Sequence, residues 1–150
     1  MTPTGYAAYK HAAISATHSK EKILLMLYEG AVRFLKFARM GIEEKNPKIR
    51  GENISKVLAI LTELDCALDR EIGGDLVENL SDLYHYMMDR LVYASVKNDI
   101  EAIDEVERLL TELKDGFEGA LQKDLKEAPV QPKTEEPERQ GGTRLAAYAA

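Results

Sequence analysis

The chain is poor in the residues that most often carry chemistry. It has one cysteine, Cys66, no tryptophan and three histidines in 150 residues. A single cysteine excludes an internal disulfide and fits a reducing compartment. Cys66 lies in an apolar helical run and reads as a small buried hydrophobe. No apolar run approaches the roughly 20 residues of a membrane span. The N-terminus lacks the apolar core of a secretory signal, so the expected location is the cytoplasm. A net charge of −6 gives no general attraction for nucleic acid or an anionic membrane. Two histidines, His11 and His18, fall in the first 18 residues. Di-metal helical bundles need Glu-x-x-His on two helices plus two further glutamates. The nearest approach here is Asp82-x-x-His85, so no metal and no cofactor are expected. There is no phosphate-cradling glycine loop, no G-x-S-x-G and no Cys/His pairing, so no enzyme is expected either.

What the chain does have is helical periodicity. Glu21 to Arg39 reads EKILLMLYEGAVRFLKFAR. At 3.6 residues per turn, Leu24, Leu27, Tyr28, Ala31, Leu35, Ala38 and Ile42 form one stripe. Ile23, Met26, Phe34 and Phe37, with Gly30 and Gly41 among them, form a second apolar set beside it. A helix apolar over so much of its circumference is buried on several sides or reserves a face for a partner.

Ser19 is a fitting N-cap for this helix, which should run to about Glu44. Pro47 suits the first turn of a second helix, expected to reach Glu71. Its core stripe is Ile54, Val57, Leu61, Leu64, Leu68 and Ile72, with Ile60 and Ala67 off it. Gly73-Gly74 should stop that helix. Asp75 and Glu78 form a near capping box for a third. Its core stripe is Leu76, Leu80, Leu83, Met87, Leu91 and Ala94. Val77, Tyr84, Met88 and Val92 widen that stripe, while Tyr86, Tyr93, Arg90 and Lys97 lie on a more polar side. After Asn98-Asp99 a fourth helix carries the narrow stripe Ile103, Val106, Leu110, Leu113, Phe117 and Leu121. The rest of that helix is mostly acidic and reads as a solvated face, with Leu109 in need of a neighbour or a partner.

These elements predict an all-α protein, an antiparallel up-down four-helix bundle over residues 19–122. A three-helix core with a loosely docked fourth is the structural alternative. Residues 1–18 read as a flexible leader in which Tyr6 and Tyr9 share one side of a helical turn. Residues 123–150, with their prolines and paired glycines, read as a disordered tail. The terminal LAAYAA is similar in composition to the leader's YAAY.

Tyr6-Ala-Ala-Tyr9-Lys10, LLMLYEGAVRFL from Leu24 to Leu35, and LDREIGGDLVENLSDLYHYMMDRL from Leu68 to Leu91 are the most distinctive stretches of the chain. Together they resemble the flagellar secretion chaperone family FliS. Ala94 and Lys97-Asn98-Asp99 extend the last, and the likeness reaches about Phe117. It departs at Glu21, where the family has a small residue before a helix start that also contains proline. The resemblance implies a four-helix bundle that binds the disordered C-terminal segment of flagellin, blocks premature polymerisation and keeps flagellin competent for type III export. It also implies that Tyr6, Tyr9 and Lys10 lie over an apolar pocket in the empty chaperone, and that the export gate is a further partner. Ile60, Ala67, Tyr84, Met88 and Val92, the off-stripe apolar residues, are the groove candidates. A monomer or weak homodimer is expected. The competing reading is a structural bundle that self-associates through its extra apolar faces.

Overall fold

In the computed structural model, four α-helices follow one another: α1 (Thr4–Glu43), α2 (Pro47–Cys66), α3 (Asp75–Lys97) and α4 (Ile100–Glu127). The structure describes the backbone of residues 4–127 and the side chains of residues 5, 8 and 19–123. No strand occurs among the described residues. The helices alternate in direction. Tyr28 packs on Phe117 and Arg39 pairs with Asp104, so α1 and α4 run opposite ways, and the Ser81 hydroxyl donates to Asp65 between α3 and the end of α2. Each helix packs on two others, in the ring α2–α1–α4–α3, so the antiparallel up-down bundle is the observed fold.

The helix ends follow side-chain chemistry only in part. Asn46 caps α2 by accepting from the Ile49 amide at 3.2 Å, with Pro47 in the first turn. Asn98 closes α3 in the left-handed conformation, and the Asp99 carboxylate accepts from the Glu101 amide at 3.0 Å. α2, however, stops at Cys66 rather than Glu71. The Asp69 carboxylate there accepts from the amides of Glu71 and Ile72 and folds residues 67–74 into a turn. Gly73 and Gly74 follow with φ of 62° and 91°. Gly74 precedes α3 with no side-chain cap, so the expected capping box is not formed.

This early stop explains two corrections, at Ile72 and Cys66. Ile72, placed in the core by periodicity, is exposed in the turn, because the phase of α2 cannot be carried past its end. Leu76, expected in the α3 core stripe, is exposed as well, and Val77 beside it points inward instead. Cys66, read as buried, is exposed at the last residue of α2. Ser19 also departs from expectation, because α1 continues through it back to Thr4 and Ser19 is not a cap. α4 likewise continues past the predicted boundary at 122 to Glu127. Residues 128–150, including LAAYAA, lie outside the described residues.

The core runs the length of the ring. Leu35, Leu61, Leu64, Met87, Leu91, Ile103 and Leu110 are its largest fully enclosed side chains. Leu109 packs against this core half-buried, which gives it the neighbour it needed.

α4 is also held by charge. Lys36 donates to Glu107 at 2.9 Å, and Arg39 bridges Asp104 and Glu107. On the other flank Tyr86 and Arg90 both donate to Glu105, at 2.5 and 2.8 Å. Three acids of the face expected to be solvated therefore tie α4 to its neighbours. Burial pushes the Glu107 carboxyl up, but hydrogen bonds from Lys36 and Arg39 outweigh it and hold the group below its ordinary value. The Tyr86 hydroxyl, followed by Arg90, lowers Glu105 in the same direction. A depressed carboxyl stabilises the fold in full above its unfolded pKa and loses that contribution as pH falls through the folded value. The thermal midpoint should therefore drop as pH is lowered below the ordinary carboxylate range, about 4. Glu107→Gln should flatten that drop in a pH series of melting curves. An unchanged slope would remove Glu107 from the account.

Candidate functional site

Besides Ile72 and Leu76 at the 67–74 turn and the Tyr86 and Tyr93 rings, apolar side chains are exposed on two helix faces. One lies on α1. Ile23 is 57% exposed and Met26 59%, with Phe37 and Met40 also exposed. On a helical wheel these four fall within about 100° of one another, facing away from the Leu24–Tyr28–Leu35 core stripe. Phe34 sits at the edge of this face, half-buried against α2. The second lies on α3, where Val92 and Val96 are exposed and Met88 is half-buried on the flank that follows Ser81 toward α2.

The groove candidates separate accordingly. Ile60 is half-buried on the α1 side of α2, with its Cδ1 3.7 Å from where a Cβ on Gly30 would sit. Ala67, half-buried just past α2, follows it at a spacing of seven. Met88 and Val92 belong to the α3 flank. Tyr84 belongs to neither surface. It is 2% exposed, its hydroxyl lies 2.7 Å from that of Tyr28, and Tyr28 in turn packs on Phe117. Tyr84 widens the stripe of α3 inward, because its phenol finds a polar partner inside the bundle. The five candidates therefore do not line one groove. Tyr6, Tyr9 and Lys10 lie in the helical backbone of α1, but their side chains are outside the described residues.

Met40 and Val96 are exposed apolar residues that periodicity did not single out. Met40 could have been found, since it lies three residues after Phe37 on the same arc. Two cations were also missed. The Arg33 guanidinium and the Lys56 ammonium lie 5.3 and 5.0 Å from the centroid of the same Phe34 ring, one from α1 and the other from α2.

The polar groups at the far end of α2 are structural. Asp65 accepts from Ser81 at 2.7 Å and from Arg70 at 2.9 Å, stapling the 67–74 turn to α3. His85 is exposed, with Nδ1 2.8 Å from the Ser81 carbonyl. Among the described residues no group of three or more His, Cys, Asp or Glu could hold a metal ion, and no helix is long and apolar enough to cross a membrane.

Among the described residues, apolar faces stand on opposite flanks of α2. The comparison with known families says to which family this bundle belongs. The family model described as flagellar protein FliS matches residues 2–124. The chain belongs to the FliS family. The flagellar secretion chaperone FliS of Salmonella typhimurium is 36% identical over 120 residues, 77% of this chain and 89% of the relative. That of Bacillus subtilis is 34% identical over 122 residues, covering 81% and 90%. The flagellar secretion chaperone FliSB of Pseudomonas aeruginosa is 38% identical over 114 residues, covering 74% and 90%. The FliS match spans both apolar flanks, and it takes in Tyr6, Tyr9 and Lys10.

Proposed function

We propose that this chain is a cytoplasmic export chaperone that sequesters the C-terminal segment of flagellin, keeps it from polymerising early and holds it ready for secretion. The observation that carries the reading is the α1 face of Ile23, Met26, Phe37 and Met40. A face of that kind on a small bundle suits an amphipathic segment laid helix-in-groove. The curated FliS relatives bear the name secretion chaperone, which supplies the client's setting. Ile60 and Ala67 extend the α1 face along α2, and Met88 and Val92 offer a second contact to a segment long enough to wrap around. Ordering such a segment typically costs about 2–5 kcal/mol of the gross interaction, which keeps binding reversible. Tyr6, Tyr9 and Lys10 would cover apolar surface in the empty state and lower net affinity when they compete with the client.

The test is capture by the purified protein of intact flagellin and of flagellin truncated at its C-terminus. Intact flagellin should be retained and the truncated form lost; equal capture of both would overturn the reading. Met26→Asp should reduce capture of intact flagellin at least tenfold while leaving the melting curve in place, because surface changes away from packed features rarely exceed about 0.5 kcal/mol. Self-association through the same α1 face is the competing use. A concentration-dependent oligomer in light scattering, abolished by Met26→Asp and indifferent to flagellin, would favour it.

A further inference from the structure

Where α1 faces α4, each of its ion-paired cations meets a carboxylate: Lys36 meets Glu107, and Arg39 meets Asp104 and Glu107. Where α1 faces α2, the arrangement is different. Arg33 and Lys56 share the Phe34 ring, and among the described residues neither makes an ion pair. Carboxylates stand one turn away on each helix. Glu52 pairs with Lys48 at 3.0 Å instead of with Lys56, and Glu29 leaves Arg33 unmatched. The floor beside them is apolar. Ile60 Cδ1, Arg33 Nη2 and Phe34 Cε2 converge within 4.0 Å of the position a Cβ on Gly30 would take. Met26 and Phe37 continue the apolar surface along α1.

We infer that Arg33 and Lys56, set around Phe34, form a carboxylate-accepting subsite, and that the client segment places an aspartate or glutamate there beside the apolar residues it lays on α1. The inference rests on the reading of the α1 face as the flagellin-binding surface and specifies what that face selects. An aromatic ring holds two like charges near each other by its electron-rich faces without neutralising either. The charge therefore remains available, next to apolar surface that excludes water once a segment docks. A carboxylate arriving there makes a charge-assisted hydrogen bond to a guanidinium or an ammonium. A segment with lysine at that position meets repulsion, so the subsite sets register as well as affinity.

The experiment measures binding of a labelled flagellin C-terminal segment to the full chain at low and high salt. The chains compared are the wild type, Arg33→Gln/Lys56→Gln and Arg33→Lys/Lys56→Arg, each checked for an unchanged melting curve. The glutamine pair should bind about tenfold more weakly at low salt, and its affinity should no longer depend on salt. The charge-preserving pair should bind nearly as the wild type does. If the glutamine pair binds like the wild type with the same salt dependence, the subsite is refuted while flagellin binding stands. If the wild type does not bind the segment, the functional reading fails and the subsite fails with it. If both pairs weaken equally, side-chain shape rather than charge is responsible, and the inference is overturned.

Discussion

Gly41→Ala should destabilise the bundle by about 3 kcal/mol or more, at the upper end of what overpacking costs. A Cβ built on Gly41 would lie 2.5 Å from the Arg50 backbone nitrogen and 2.9 Å from its Cα. These atoms belong to α2, so relief requires one helix to move against the other rather than a side chain to turn. The crossing lies next to the short turn between α1 and α2, where Asn46 and Pro47 already define the start of α2. Gly30 provides the control on the same helix. Its Cβ would meet Ile60, Arg33 and Phe34 side chains at 3.7–4.0 Å, which is ordinary contact. Gly30→Ala should therefore stabilise by about 0.5–1 kcal/mol, the usual gain from replacing glycine inside a helix. Urea titrations of the two variants should move the midpoint in opposite directions at constant m. A shift of the same sign in both would show that the α1–α2 approach is not set by Gly41.

Tyr84→Ala should cost about 3–5 kcal/mol, the range for emptying a large aromatic from a core. Tyr84→Phe should cost about 1 kcal/mol, since it removes one hydroxyl from the pair with Tyr28 and keeps the ring. Val92→Asp, only eight positions along the same helix but 52% exposed, should stay within about 0.5 kcal/mol. The three variants divide one apolar flank of α3 into interior and surface by a measurement that needs no client. If Tyr84→Ala proved as mild as Val92→Asp, Tyr84 would return to the list of client contacts.

That division also marks the limit of what periodicity can report. The stripe from Leu24 to Ala38 and the stripe from Ile103 to Phe117 face inward as their spacing demands, because each lies within one unbroken helix. Tyr84 was placed at a surface because it sits to one side of the α3 stripe. Its burial depends on Tyr28, fifty-six residues earlier, and no local pattern contains that partner. Ile72 and Leu76 lie outward for different reasons. Ile72 falls in the 67–74 turn beyond α2, where the Asp69 carboxylate accepts from the Glu71 and Ile72 amides, and Leu76 lies in the first turn of α3, where Val77 takes the inward position. The off-stripe residues of α1, by contrast, were legible as surplus. Ile23, Met26 and Phe37 are exposed as their excess over one core face suggested. The cations around Phe34 were not legible, since Arg33 and Lys56 come together only when α1 and α2 cross.

α1 is forty residues long and α2 twenty, and the difference falls at one end. Tyr28 lies level with Phe117, so antiparallel descent brings the last turn of α4 level with the residues just before Ser19. From there to Thr4 the helix rises about 20 Å further, at 1.5 Å per residue. A rod of that length carries the backbone of α1 past the end of the bundle for as long as it stays wound. Helical segments this short are close to balance between wound and unwound states when they have only their own backbone bonds. Any return of this segment toward the bundle would require α1 to unwind near Ser19, so its reach follows a local helix–coil equilibrium rather than a hinge.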